Sequence, residues 1–297
     1  MEKTMSVIKI ENEEDLKVLS AIEETVMKNV NLGFDLQVLD ILDDEEATSQ
    51  KIEALKGMLS EDIVLRLVGL GNSTHYGRLG AGKILNFREI ILRLGMQPAK
   101  VYILALSLYF IKPAQEMCIL AARSFVTSML GKILAKQMAC SEDSVKKVEL
   151  GGMLLEVGKI FMFLYGEKLD KKMDEEFIHK YYRYLGLRAV EIFKLPEFLG
   201  EILSTAYFTF RTSSLAWPSI VDLAHTVVDK NFRQHGKIII QASLPDEEGV
   251  VLSTYGATLA GQLEAIGLGS YLEIIPILSH KQEIQRLRKI AQASKAA

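Results

Sequence analysis

Helical periodicity extends over most of the chain, and this pattern limits the folds that the chain can adopt. The segment after Ser60 is a clear instance, because Ser60 is a typical N-cap residue and Glu61 and Asp62 follow where the helix dipole favours carboxylates. Apolar residues then recur on one helical face up to Gly71-Asn72, where the helix is expected to end. Similar patterns recur along the sequence and predict an all-α fold.

The remaining segments fit the same class of fold. Strand-like alternation is confined to short pieces, Ser6 to Ile10 and Lys237 to Gln241. Pro98 suits the first turn of a long helix, because its missing N–H would be unpaired there anyway. Further helices are predicted over Met117 to Met138, Lys146 to Tyr165, Asp174 to Tyr184, Ala189 to Phe193 and Pro196 to Phe208, with another beginning near Pro218.

Length and composition indicate a globular protein. The 297 residues, 49% of them hydrophobic, are enough to bury a sizeable core. No segment reaches the roughly 18 to 20 apolar residues that span a bilayer. The longest apolar run, Val101 to Ile111, is therefore expected to be a buried helix. The N-terminus, Met1 to Thr4, lacks the basic-then-apolar order of a signal peptide. We expect a cytoplasmic protein that has no membrane partner.

The charge balance bears on nucleic-acid binding. A net charge of -3 argues against a protein that coats nucleic acid. The distribution is nevertheless uneven, with an acidic stretch from Glu11 to Asp62 and a basic stretch from His280 onward. A nucleic-acid-binding regulator is therefore a weaker alternative, and the residues that would serve it are Lys281, Arg286, Arg288 and Lys289.

Common catalytic and cofactor motifs are incomplete in this sequence. The segment Gly77 to Lys83 has the glycine and lysine spacing of a P-loop, but Ile84 stands where magnesium binding needs Ser or Thr, and a helix precedes the loop instead of a strand. Cys118 and Cys140 are isolated, and no two of the five histidines have the i, i+4 spacing of metal ligands. We predict no catalytic, cofactor-binding or metal-binding residues.

The block Met153-Leu154-Leu155-Glu156-Val157-Gly158-Lys159 resembles a segment of the HD-type phosphohydrolases. The corresponding segment there reads Leu-Leu-His-Asp-Ile-Gly-Lys, and its adjacent His and Asp bind the metal that activates water. Leu155 stands at the His position and Glu156 at the Asp position. Leucine has no lone pair, and one carboxylate makes no closed site, so the resemblance implies degenerate metal positions. We expect Glu156 to be solvated or paired with a basic residue such as Lys159, at i+3.

A second block, Leu70 to Gly77, resembles the Leu-Ala-Asn-Ser-x-x-Tyr-Gly signature of HDOD domains, a bacterial signalling family related to HD phosphohydrolases. Leu94-Gly95, Leu185-Gly186 and Leu195-Pro196 resemble later landmarks of that family, and Ile220 to His225 resembles its final helix. The positions that match the family signature, to which we assign structural roles, are Asn72, Ser73, Tyr76, Gly77, Gly95, Gly158 and Lys159.

The chain departs from the family pattern at several positions, some of which are expected metal positions. Arg123-Ser124 stands where such families keep a His before Ser, and His225 replaces an Asp. Ala206-Tyr207 occupies the place of later histidines. Among the expected metal positions only Glu156 retains a ligating side chain.

The resemblance, over roughly Phe34 to Phe232, implies a two-lobed helical bundle of the HD-like/HDOD type. We expect an N-terminal segment at residues 1–33, an HDOD-like domain at 34–235 whose first lobe ends near residue 115, and a mainly helical C-terminal extension at 236–297. The implied function is a non-catalytic signal-transduction regulator or adaptor. Its partner would be a signalling protein or a small-molecule second messenger, bound in a groove between the lobes.

One alternative from another functional class is a divergent HD-type phosphohydrolase acting on a nucleotide or cyclic dinucleotide. Hydrolysis by this route needs clustered His and Asp residues that lower the pKa of a bound water. The count of candidate ligands favours the regulator, which would need no cofactor.

Overall fold

A computed structural model of the chain describes residues 10, 12–44, 46–72, 86–112, 114–204, 216–243 and 251–277. Helices dominate these residues, which confirms the all-α prediction. In chain order they are α1 (Glu13–Thr25), α2 (Gln37–Asp43), α3 (Ser49–Met58), α4 (Glu61–Asn72), α5 (Phe87–Leu94), α6 (Met96–Tyr109), α7 (Gln115–Gln137), α8 (Glu142–Leu154), α9 (Val157–Lys168), α10 (Glu175–Ile192), α11 (Phe198–Ser204), α12 (Trp217–His235) and α13 (Val251–Ala265). Short 3-10 helices span Met27–Asn29 and Gly269–Tyr271, and strands span β1 (Ile238–Ser243) and β2 (Leu272–Ile277).

Helix α4 forms for the reasons that its sequence suggests. The Ser60 hydroxyl accepts a hydrogen bond from the backbone N–H of Ile63 at 3.5 Å, and the two carboxylates of the first turn follow it. The buried stripe contains Ile63, Leu67 and Leu70, as the periodicity predicts. At the helix end the Asn72 side chain donates to the backbone oxygen of Val68 at 3.0 Å.

Gly95 separates α5 from α6 and lets the chain turn sharply. Its φ of +90° lies where L side chains are strained, and the two helices meet at 109°. Helix α6 then runs through the core with every residue from Ala99 to Tyr109 buried. The ammonium of Lys100 lies within it, 2.6 Å from a carboxylate oxygen of Asp43 and 2.7 Å from the backbone oxygen of Lys194. These bonds tie the N-terminal lobe to the end of α10.

The second lobe contains α7 to α12, and two predicted helix boundaries in it are wrong. The predicted helix over Lys146 to Tyr165 is divided into α8 and α9, because the chain turns at Leu155 and Glu156. The helices predicted over Asp174 to Tyr184 and Ala189 to Phe193 form one continuous α10. Gly186 lies inside α10, where a Cβ would come within 2.8 Å of the Leu203 side chain. This glycine therefore permits close packing and does not end the helix.

The described part of the C-terminal extension begins as a β-α-β unit. Strand β1 pairs in parallel with β2, in a register that runs from Ile238 opposite Leu272 to Ser243 opposite Ile277. This strand confirms the strand-like pattern at Lys237 to Gln241. Helix α13 connects the strands and packs against α4, where a Cβ on Gly69 would lie only 2.7 Å from the Ala265 backbone oxygen.

Among the described residues, one helix has the length and apolar composition of a membrane span, namely α7. Helix α7 packs against α8 and α12, and more than half of its most apolar window is buried inside the protein. A core helix of a soluble protein passes the same test. The apolar run Val101 to Ile111, singled out from the sequence, falls within and just after the buried helix α6.

Candidate functional site

The site centres on Glu156, which lies in the turn between α8 and α9. Its side chain is only 1% exposed. Oxygen Oε1 lies 2.9 Å from Nη2 of Arg123 and 3.3 Å from Nε2 of His225, and it accepts a hydrogen bond from the ammonium of Lys159. The predicted pairing of Glu156 with Lys159 is therefore confirmed. We refer to Arg123, Glu156, Lys159, His225 and Asp229 as the Glu156 cluster.

Three helices bring these side chains together. Arg123 lies on α7, Lys159 in the first turn of α9, and His225 and Asp229 on α12. Arg123 also donates to Asp229, whose other oxygen lies 2.7 Å from Nε of Arg233. The guanidinium of Arg123 thus bridges a carboxylate in the turn between α8 and α9 and a carboxylate on α12.

A second ion pair lies further along α12. Arg183 on α10 pairs with Asp222 at 2.5 Å, donates to the backbone oxygen of Ile202 at 3.0 Å, and donates to the Tyr182 hydroxyl at 3.1 Å. The ammonium of Lys159 lies 4.8 Å from the centre of the Tyr182 ring, a distance that suits a cation–π contact. Tyr182 therefore connects this pair to the Glu156 cluster.

The electrostatics of the cluster keep Glu156 ionised. Burial by itself raises the pKa of this carboxyl group, because it disfavours the charged form. The positive charge of Lys159, followed by the nearby His225 imidazole at 3.3 Å and the charge of Arg123, outweighs burial and holds the pKa of Glu156 well below its usual range. Two full cationic charges, on Arg123 and Lys159, therefore face the carboxylates of Glu156 and Asp229.

The side chains of the cluster do not fit a divalent metal. The Glu156 carboxylate, which would face a metal ion, instead faces the guanidinium of Arg123 and the ammonium of Lys159. These two cations would repel a metal ion. Leu155 is fully buried and packs in an apolar cluster with Val145 and Ile220. Within the described ranges no three His, Cys, Asp or Glu side chains are grouped so that they could hold a metal ion. Ala206-Tyr207 lies outside those ranges.

Comparison with known protein families shows to which family the chain belongs. The sequence profile of the HDOD domain matches residues 34–187, just over half of the chain. The chain belongs to the HDOD domain family. The match begins at the expected residue and ends within α10, so the Ile220 to His225 segment lies beyond it.

Solved structures with a similar fold are distant in sequence. A protein from Shewanella amazonensis SB2B, provisionally named a metal-dependent phosphohydrolase, is 13% identical, with a TM-score of 0.53 over 84% of this chain and 100% of that one. An HDOD domain protein of unknown function from Geobacter sulfurreducens is 16% identical, with a TM-score of 0.46 over 86% and 89% of the two chains. No curated protein matches the chain.

Two HDOD signature glycines have clear physical roles. Gly95 provides the turn before α6, and Gly158 allows α9 to approach α10 closely. A Cβ on Gly158 would lie 1.8 Å from the backbone oxygen of Tyr182, a distance that atoms do not tolerate. This close approach also brings Lys159 over the Tyr182 ring. Ser73, Tyr76 and Gly77 lie outside the described residues.

Several side chains in and around the cluster were not predicted from the sequence. Asp229, Asp222 and Arg183 belong to the ion-pair network, and Arg123 entered the sequence analysis only as a lost ligand. One signal was available, because Asp222, His225 and Asp229 follow an i, i+3, i+7 pattern on one face of a helix. Arg123, Glu156 and Arg183, which pair with these three residues, lie outside α12 and have no such pattern.

Two cavities open near these helices. The first, which we call the inter-lobe cavity, has a volume of about 410 Å³ and lies between α5 and α6 on one side and α7 and α8 on the other. The second is a groove of about 630 Å³ beside Lys159, bordered by α7, α9 and the start of α10. Both volumes are in the range of sites for small molecules.

Proposed function

We propose that this HDOD protein is a non-catalytic regulatory module that binds a partner protein or a small signalling ligand at the boundary of its two lobes. The observation that supports it most strongly is the pairing of Glu156 with Arg123 and Lys159. In this proposal, Glu156, which stands where the related phosphohydrolases have a metal ligand, belongs to an internal ion-pair network.

The chemistry of metal-dependent hydrolysis explains why this pairing matters. Such enzymes need an ion with an open coordination position, where a bound water loses a proton near neutral pH. Here Leu155 offers no ligand, and Glu156 is already neutralised by two protein cations. The network instead joins α7, α9 and α12, so its role in this proposal is to hold the second lobe together.

The location of the binding surface follows from the cavities. Clefts between packed helical layers concentrate partly apolar surface with polar groups at the edge. The inter-lobe cavity has this character, because Leu94, Pro98 and Val145 line it together with charged side chains. A ligand bound there would contact both lobes and could bias their relative arrangement.

A turnover assay tests this proposal against the phosphohydrolase alternative, which the provisional name of the Shewanella protein suggests. The purified chain would be incubated with cyclic dinucleotides and nucleoside triphosphates in the presence of Mn²⁺ or Mg²⁺. We expect no release of phosphate or nucleotide above a protein-free control. Release that disappears in Glu156→Gln would establish the phosphohydrolase instead.

A further inference from the structure

The inter-lobe cavity contains an excess of cations. Its charged side chains are Arg93 from α5, Lys132 and Lys136 from α7, and Glu142, Lys146 and Glu149 from α8. Among the described residues, four cationic groups therefore share the cavity with two carboxylates. A cavity with this imbalance attracts anions, and its low-dielectric walls strengthen the attraction.

One of the carboxylates is fully engaged within the protein. Glu149 is buried, accepts a hydrogen bond from the Tyr102 hydroxyl at 2.9 Å and pairs with the ammonium of Lys132 at 2.7 Å. Glu149 and Lys132 thus neutralise each other at the cavity wall. Among the described lining residues, the net positive charge comes from the other three cations, because Glu142 is the one remaining carboxylate.

These three cations are available to a ligand. Arg93 donates to the backbone oxygen of Gly71 at 3.1 Å, and no carboxylate of the described residues forms an ion pair with it. Lys136 and Lys146 are exposed, and within the described ranges neither has an ion-pair partner. The adjacent Lys147 differs, because it pairs with Asp143 at 2.7 Å and does not line the cavity.

Lys132, Lys136 and Lys146 are close enough for their positive charges to repel one another. The pKa of Lys132 is lowered, first by burial and further by the charges of Lys136 and Lys146, against the opposing effect of Glu149. Mutual repulsion of this kind is relieved when an anion binds among the cations.

The apolar side chains that line the inter-lobe cavity indicate that the ligand has an apolar group in addition to its negative charge. Leu94 and Val145 are buried side chains that line the cavity together with Pro98. Apolar walls of this kind suit a ring or a base, and the volume of about 410 Å³ suits one nucleotide-sized molecule.

We propose that the inter-lobe cavity binds a small phosphorylated molecule of nucleotide size. Its phosphates would lie against Lys136, Lys146 and Arg93, and its ring against Leu94, Pro98 and Val145. This assignment rests on the proposed regulatory function, for which it names the class of small ligand.

Isothermal titration calorimetry on the full chain tests the assignment with three probes: ADP, pyrophosphate and adenosine. We expect ADP to bind, pyrophosphate to compete with it, and added salt to weaken the binding, because phosphate recognition by lysines is screened. Adenosine lacks the phosphates and should bind at least about tenfold more weakly, a difference of about 1.4 kcal/mol. Failure of both ADP and pyrophosphate to bind at about 1 mM would overturn the assignment.

Two variants locate the binding. In Lys136→Ala/Lys146→Ala the affinity for ADP should fall at least about tenfold, or about 1.4 kcal/mol. The matched control, Lys147→Ala, removes a lysine of α8 that lies outside the cavity and should bind ADP as the unmodified chain does. Equal affinity in the double variant and the control would contradict the assignment.

The result is independent of the turnover assay. If neither ADP nor pyrophosphate binds and no turnover is found, the chain would remain a proposed regulator that acts through a protein partner. Turnover, in contrast, would contradict the regulatory proposal itself.

Discussion

The Glu156 cluster and the inter-lobe cavity use cations in opposite ways. In the cluster, Arg123 and Lys159 are paired with carboxylates that lie inside the second lobe. In the cavity, Lys136 and Lys146 are exposed and lack such partners within the described ranges. Glu156, which stands at a position that resembles a metal ligand of HD phosphohydrolases, is thus held by ion pairs inside the second lobe, whereas the ligand surface that we propose lies between the lobes.

The largest effect should come from Arg123→Ala. The substitution leaves Glu156 buried with one cation fewer and removes the bridge to Asp229, so we expect the free energy of unfolding to fall by about 3 kcal/mol. Urea denaturation would measure the change. Arg233→Ala removes a partner of the same Asp229 from an exposed position, and its effect should stay below about 1 kcal/mol. Equal losses in the two variants would contradict the structural role of the cluster.

The second effect concerns the helix contact that positions Lys159. Gly158→Ala places a methyl group against the backbone oxygen of Tyr182, which cannot move aside without shifting α10. We expect a loss of about 2 kcal/mol in the same denaturation experiment. Gly57→Ala is the control, because nothing lies within 4 Å of a Cβ at that helical position. That variant should be as stable as the unmodified chain or up to about 1 kcal/mol more stable.

Acid should remove the stabilisation that ionised Glu156 contributes to the cluster. The pKa of Glu156 is lower in the folded state than the value of about 4.3 in an unfolded chain, so its contribution is present above that pH. The unfolded state binds more protons as the pH falls below about 4.3, and the contribution is lost. The free energy of unfolding of Glu156→Gln, measured from pH 6 to pH 3, should therefore fall less steeply than that of the unmodified chain. Parallel curves would show that Glu156 is not held ionised.

The smallest effect is expected in the cavity. Lys146→Gln removes an exposed cation that has no ion-pair partner within the described ranges, so the free energy of unfolding should change by less than about 0.5 kcal/mol. Thermal denaturation would measure it beside Arg123→Ala. A loss of more than about 1 kcal/mol would mean that Lys146 is engaged in folding and would remove the contrast between the two regions.

The sequence was informative where signals are local. The cap and apolar stripe of α4 and the i+3 pair of Glu156 and Lys159 depend on neighbouring residues, and both are found in the structure. The family landmarks also located Arg123 and His225 as altered positions. Their new role was missed, because Arg123 and Asp229 are 106 positions apart and meet only when α7 packs against α12.

The helix boundaries failed for related reasons. The chain turns at Leu155 and Glu156, where Glu156 contacts α7 and α12, while the local periodicity continues from α8 into α9. The break predicted between Tyr184 and Ala189 is absent, and Gly186 in that interval packs closely against the Leu203 side chain from α11. A glycine that permits close packing and a glycine that ends a helix look alike until the neighbouring helix is known.

Metal content provides the most direct test of the central claim that the Glu156 cluster is neutralised by protein cations. Elemental analysis of the chain, purified without a chelator, would measure Mn, Fe, Ni and Zn per chain. We expect far less than one equivalent of each metal, in the unmodified chain and in Glu156→Gln alike. One tightly held equivalent in the unmodified chain, lost in Glu156→Gln, would contradict it.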